Sequence, residues 1–348
     1  MTHLDFAQTA IKNLITHHIG NKINDEKCTL TNEYTTCEDE TREFLLTYFL
    51  LPFKTEEFFC FNHAVSLDLN EVYTIAKSIF SDDGDYITST QSLAKLLYES
   101  SSHPKIKEGE LNIAYLTNIV IGGKVVDAIG IFKSETDAAF LKMRNQKSKF
   151  NIIHDFGFEM NGVDKGCIIF NIEEENGYKI LISDNTNRSA EAQYWKDDFL
   201  NLKPVADEFH QTSQFLGIAK NFVTTQLAEE FEVSKADKID LLNRSVAYFK
   251  KHESFDKAEF EEEVFQDKDV IKSFRNFDCS FREEHDIELT DQFDISPQAV
   301  KKQARVFKSV LKLDKNFHIY IHGNKNLIEQ GVEQDGRKFY KIYFEKEL

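Results

Sequence analysis

The run LNIAYLTNIVIGGKVVDAIGIFK, residues 111–133, restricts the fold more than any other stretch of this chain. Two β-rich segments flank Gly122-Gly123, and a Gly-Gly pair supplies the two positive-φ positions of a type I′ turn. A turn that short joins antiparallel neighbours, because parallel strands need a crossover of about a dozen residues or more. The first two hundred residues are therefore expected to hold an antiparallel sheet and not a βαβ unit. In FNIIHDFGFEMNGVDKGCIIFNIEEENGYKILIS (150–183), the pairs Asn161-Gly162 and Asn176-Gly177 predict two more hairpins.

Helices are predicted between these strands. DETREFLLTYFL (39–50) opens with acids that suit a helix N-terminus. LNEVYTIAKSIFSD (69–82) and STQSLAKLLYES (89–100) space apolar residues by three and four, with Ser89 or Thr90 as a cap. SAEAQYWKDDFLNL (189–202) is a further helix ending before Pro204. From about residue 205 amphipathic helices follow one another: 207–231, 234–252, 255–265, 268–285 and 296–313, the last with Ser296 as N-cap and Pro297 at the first helical position. Strands at 316–323 and 337–348 close the chain as a β-hairpin. The expected fold class is α+β. Residues 1–204 form a hairpin-rich antiparallel domain with helices, and 205–348 form a mainly helical domain with a C-terminal basic helix and β-hairpin.

Composition narrows the function classes. The chain of 348 residues carries a net charge of −17, is 41% hydrophobic and includes 31 Phe, enough for two cores. EFLLTYFLLPF (43–53) is too short to span a bilayer, and the N-terminus lacks a secretory pattern, so a membrane or secreted address is not expected. Five cysteines (Cys28, Cys37, Cys60, Cys167, Cys279) without CxxC spacing read as reduced thiols. No Walker A, GxGxxG, GxSxG or HExxH occurs, and no cofactor or metal is called for.

One segment departs from the acidic balance. AVKKQARVFKSVLKLDKNFHIYIHGNK (299–325) holds Lys301, Lys302, Arg305, Lys308, Lys312, Lys315 and Lys325 against Asp314 alone. That makes it +6 and leaves the remainder at −23. On a helix, Lys301, Arg305, Lys308 and Lys312 fall within about 60° of one another. Phe307 then lies on the core side, away from the stripe. Such a single-sign stripe either meets an anion such as DNA phosphate or is a solvated face. The helix followed by strands resembles a winged recognition element in order alone.

Other constellations are weaker. HHIGNK (17–22) offers His17, Asn21 and Lys22 as secondary phosphate contacts, against a plain strand end turning at Gly20. HIYIH sets His318, Tyr320 and His322 on one strand face, without a third metal ligand nearby. Asp155, Asp184, Glu173 and Lys179 could suggest a nuclease cluster, but the acid and lysine are not separated by one residue as such clusters require. The stretch 259–294, with thirteen acids against four bases, keeps the chain soluble or attracts a basic partner.

Taken in order, HHIGNK, HPKIKEGEL (103–111), VDAIGIFKSE (126–135), DKGCIIFN (164–171), AQYWKDDFL (192–200), FVTTQLAEEFEVSKAD (222–237) and QAVKKQARVFKSVLKLDKNFHIYIHGN (298–324) resemble the bacterial nucleoid-associated protein family of the NdpA/YejK type. The resemblance covers nearly the whole chain. It implies a cytoplasmic, nucleoid-localised protein associated with double-stranded DNA, directly or through protein partners, and it carries over no catalytic motif. The expected function is non-enzymatic DNA binding through backbone phosphates with low sequence specificity. The alternatives are a nucleoid adaptor that binds proteins or its own copies, and a metal-dependent nuclease.

Overall fold

The computed structural model describes residues 4–54, 56–82, 84–146, 149–185, 194–305, 307, 310–313, 315–320 and 327–346, with backbone alone at 146 and 310–312. Its contacts divide the chain into two units, Met1–Val205 and Ala206–Leu348. The fold is α+β, and no helix among the described residues is long and apolar enough to cross a membrane.

The first unit is built on strands β1 (Leu4–Asp5), β2 (Ala10–Ile19), β3 (Phe59–Phe61), β4 (Gly109–Ile121), β5 (Lys124–Ser134), β6 (Ala138–Gln146), β7 (Lys149–Gly157), β8 (Lys165–Phe170), β9 (Lys179–Asp184) and β10 (Leu202–Pro204). Eight of them form one antiparallel sheet. Its path is β1-β4-β5-β8-β9-β3-β10, and β2 lies beside β4 on the same edge as β1. Ile121 pairs with Lys124 across Gly122 (φ 56°) and Gly123 (φ 77°), the type I′ turn that the sequence called for.

The central strands are apolar on both sides, because both sides are covered. Ile129, Ile131, Cys167 and Ile169 face a core shared with α2 (Glu71–Phe80) and α3 (Tyr86–Ser100). Ala128, Phe132, Ile168 and Phe170 face the opposite core, where Phe49 of α1 (Asp39–Leu50) stacks on Phe132 at 4.4 Å. Fully burying side chains of this size contributes about 1.5–3 kcal/mol each.

In the second unit, α4 (Glu208–Asn221) runs through a π-helical turn, Phe222–Gln226, into α5 (Leu227–Glu230). There follow α6 (Lys235–Lys251), β11 (Ser254–Asp256), α7 (Lys257–Phe260), a second π-helical turn (Glu261–Phe265), α8 (Lys268–Glu284), β12 (Gln292–Asp294) and α9 (Pro297–Ala304). Ser234 and Asp237 form a capping box that starts α6. Phenylalanine dominates the core, with Phe215 between 4.2 and 6.1 Å from Phe249, Phe255, Phe260 and Phe274. Two hairpins close the unit: β13 (Val310–Leu313) with β14 (Phe317–Tyr320), and β15 (Ile328–Val332) with β16 (Lys338–Ile342).

Several expectations are corrected here. Asn161-Gly162 does not turn a hairpin, since β7 pairs with β6 in a separate two-stranded ribbon. Asn176-Gly177 does lie between paired strands, β8 and β9, but within a longer loop containing a short 3-10 turn. The cap of α3 is Asp85, whose carboxylate accepts from the Thr88 N–H, and not Ser89 or Thr90. Of the helix expected over 189–202, the described part is a π-helical turn, Tyr194–Phe199, and residues 189–193 lie outside the described ones. The single closing hairpin is two hairpins.

The largest correction concerns the basic helix. It stops at Ala304, and Val310–Leu313 is a strand. The segment from Val306 to Leu313 alternates as well as it spirals: β-branched Val306 and Val310, then Leu311, Lys312 and Leu313. Leu313 and Ile319 of the resulting hairpin pack against Ile239 of α6.

Candidate nucleic-acid interface

The basic segment begins on a well-defined helix start. The Ser296 hydroxyl accepts from the Ala299 N–H at 3.3 Å, and Pro297 fills the first turn. Ala299 and Val300 are buried, so the opposite side, with Lys301 and Lys302, faces water. Lys301 and Lys302 also sit in the last turn, where cations offset the negative end of the helix by about 0.3–1 kcal/mol each. Arg305 caps the helix and is exposed, while Phe307 is buried in the unit's core, as the spacing predicted.

The four-cation stripe on one helix face is not formed. Lys301 lies on α9 and Arg305 at its end, and Lys312 stands on β13 opposite His318 in the register. Lys308 and Lys325 lie outside the described residues. Lys315 is exposed in the β13–β14 turn. Among the described residues, neither Lys301, Arg305 nor Lys315 is joined to an acid. The Lys302 ammonium lies 5.6 Å above the Phe209 ring. Exposed Phe317 and Tyr320 on β14 set aromatic rings on the same hairpin as Lys315, a neighbourhood the sequence reading did not anticipate.

The secondary candidates serve the fold of the first unit. His17 is buried on β2, and its Nδ1 accepts from the Thr31 N–H at 3.1 Å. Burial lowers its pKa and keeps it neutral. Asn21 is also buried, and its Nδ2 donates to the carbonyls of His103 and Ile106 at 2.8 and 2.6 Å. Lys22 is exposed and ion-paired with Glu99. The nuclease candidates are dispersed over separate pairings. Asp155 is exposed on the ribbon, Lys179 pairs with Glu173 at 3.0 Å, and Asp184 holds the buried ammonium of Lys165 at 2.8 Å.

Much of the acidic stretch is spent on internal pairs. Asp278, 1% exposed, takes Lys257 at 2.5 Å and Arg282 at 2.6 Å, and Glu261 takes Arg275 at 2.7 Å. Among the described residues, His252, Glu259 and Glu263 form the group whose atoms could surround a metal. Lys251 already neutralises Glu263 at 3.2 Å, and the Tyr248 hydroxyl donates to Glu259, so the group reads as an ion-pair network.

A second basic surface escaped the sequence reading. Lys142, Arg144 and Lys149 share one face of the β6–β7 ribbon and are all exposed. The alternation in FLKMRNQKSKFNII was the available signal.

Compared with known families, residues 15–337 match the model for nucleoid-associated protein YejK. Compared with curated proteins, the chain matches none.

Proposed function

The chain belongs to the nucleoid-associated protein YejK family, and from that premise we propose that it acts in the nucleoid as a non-enzymatic protein that binds duplex DNA directly. The contacts are to backbone phosphates, made by the basic segment from Lys301 to Lys325. The observation that carries this reading is the exposure of Lys301, Arg305 and Lys315 without an acidic partner among the described residues, whereas the buried ammonium groups of Lys133 and Lys165 are held by Glu135 and Asp184. Phosphate contacts read no base edges, so sequence preference is low.

The test is titration of a labelled duplex at several salt concentrations, beside a Lys301/Arg305/Lys308/Lys312→Gln variant. Four lost phosphate contacts flatten the slope of log affinity against log salt by about three to four. Coincident curves, or no binding at low salt, would remove this segment from any DNA interface. The exposed apolar face of the ribbon favours a second reading, a nucleoid adaptor that works through protein contacts. The nuclease reading finds no support in the dispersed pairings of Asp155, Asp184, Glu173 and Lys179.

A further inference from the structure

The second unit holds an open cleft of about 710 Å³ between α7, α8 and the chain around β12, within the range of about 300–1,000 Å³ usual for ligand sites. Glu261 lines it and opens the π-helical turn Glu261–Phe265, a backbone irregularity frequent at functional sites. The residue is 1% exposed. Arg275 places both of its bonds on one carboxylate oxygen: its Nε and Nη2 donate to Oε2 at 2.8 and 2.7 Å. The usual fork of arginine on a carboxylate uses both oxygens. Here Oε1 is buried and accepts no hydrogen bond from any described residue. A buried carboxylate oxygen without a donor is costly, and native structures keep few of them.

The charges around that oxygen are unbalanced toward acid. Asp256, Asp291 and Lys257 line the same cleft. Asp278 takes the Lys257 ammonium at 2.5 Å and Arg282 at 2.6 Å. Asp291 reaches these two cations only at 3.9 and 3.8 Å, and its side chain is 70% exposed. The carboxylates of Asp256, Glu261, Asp278 and Asp291 thus meet one cation fewer: Lys257, Arg275 and Arg282. We propose that the cleft receives that missing cation as the guanidinium of an arginine side chain, carried by a basic segment of a partner protein and donating to Glu261 Oε1 and Asp291. A divalent metal fits less well, because among the described residues the oxygens of Asp256, Glu261 and Asp291 do not gather into a metal-binding group. An anion would add to the excess of negative charge. A guanidinium spreads five donors over a plane and is more weakly hydrated than an ammonium, which suits acceptors set apart around a half-buried cleft. The volume also leaves room for the residues that flank the arginine. The inference uses side chains of the second unit alone and does not depend on the DNA reading above.

The test is calorimetric titration of the full chain with an acetylated, amidated Gly-Gly-Arg-Gly-Gly peptide, beside the same peptide with citrulline, which keeps the shape and removes the charge. The arginine peptide is expected to bind saturably at one per chain, and the citrulline peptide not to bind. Glu261→Gln and, separately, Asp291→Asn should each weaken the arginine peptide about tenfold or more. Glu284→Gln, which removes an exposed acid of α8 outside the cleft, should leave the affinity unchanged. Circular dichroism melting reports whether each variant stays folded. Asp291 is exposed, so its variant keeps the test decisive if Glu261→Gln unfolds the unit. No saturable binding by the unaltered protein overturns the proposal. So does equal binding of the citrulline peptide, or an affinity that Asp291→Asn does not change. Methylguanidinium binding as tightly as the peptide would assign the cleft to free small cations and overturn the protein-borne source.

Discussion

His17 shows how a residue with the chemistry of a phosphate ligand is used for something else. Its Nδ1 is occupied by the Thr31 N–H, so adding a proton there breaks a hydrogen bond and charges a buried ring. Its folded pKa is lowered from 6.5. Between that lowered value and 6.5 the unfolded chain binds the extra proton, and stability therefore rises with pH. The His17 contribution is complete above about pH 6.5 and is lost as the pH falls below it, by no more than about 1.4 kcal/mol per pH unit. Denaturant unfolding followed by Trp195 fluorescence should show a midpoint that drops on acidification, and a flatter profile in His17→Gln. Parallel profiles would show that the ring does not titrate with folding.

At the scale of elements, the loop between β8 and β9 depends on one backbone position. Gly177 has φ +89°, and a Cβ there would lie 2.6 Å from the Phe61 carbonyl oxygen of β3. Both the left-handed conformation and the close approach demand glycine. Gly177→Ala should destabilise the first unit by about 2 kcal/mol or more, read from the same fluorescence transition. A loss under about 0.5 kcal/mol would mean that β3 moves aside. The hairpin at Gly122-Gly123 was legible because its turn is local. The ribbon was not: no Gly pair lies between residues 138–146 and 149–157, so the first of these runs went unread and the second was joined to a hairpin expected at Asn161-Gly162. The end of the basic helix was hidden for a related reason. Residues 306–313 satisfy both periods, and the hydrophobic contact of Leu313 and Ile319 with Ile239, far away in sequence, decides between them.

For the whole molecule, charge is distributed against the proposed function as well as for it. A +6 segment is set within a remainder of −23, and on the proposed reading that remainder repels DNA over the Debye length, about 10 Å at 0.1 M salt and about 30 Å at 0.01 M. Lowering salt therefore strengthens the local phosphate contacts and the general repulsion together. The plot of log affinity against log salt is expected to bend toward a plateau at low salt instead of rising linearly, as anisotropy of a labelled duplex would record. A straight line down to the lowest salt would mean that the acidic surface lies beyond the reach of the bound duplex.

The sequence alone determined the antiparallel character of the first unit, the succession of helices after residue 205, the family resemblance, and the concentration of cations near the C-terminus. Those are properties of local turns, of spacing along one element, or of order along the chain. Only the tertiary structure decided which cations are available and which surface is unpartnered. Asn21 and His17 look like phosphate ligands in the sequence, and burial against the His103 and Ile106 carbonyls and the Thr31 N–H turns them into parts of the frame. Leu141, Ile152 and Phe156 look like core residues, and their place on a ribbon outside the sheet leaves them exposed. Burial depends on what lies across space from a side chain, and the hydrophobic pattern of one strand does not contain that information.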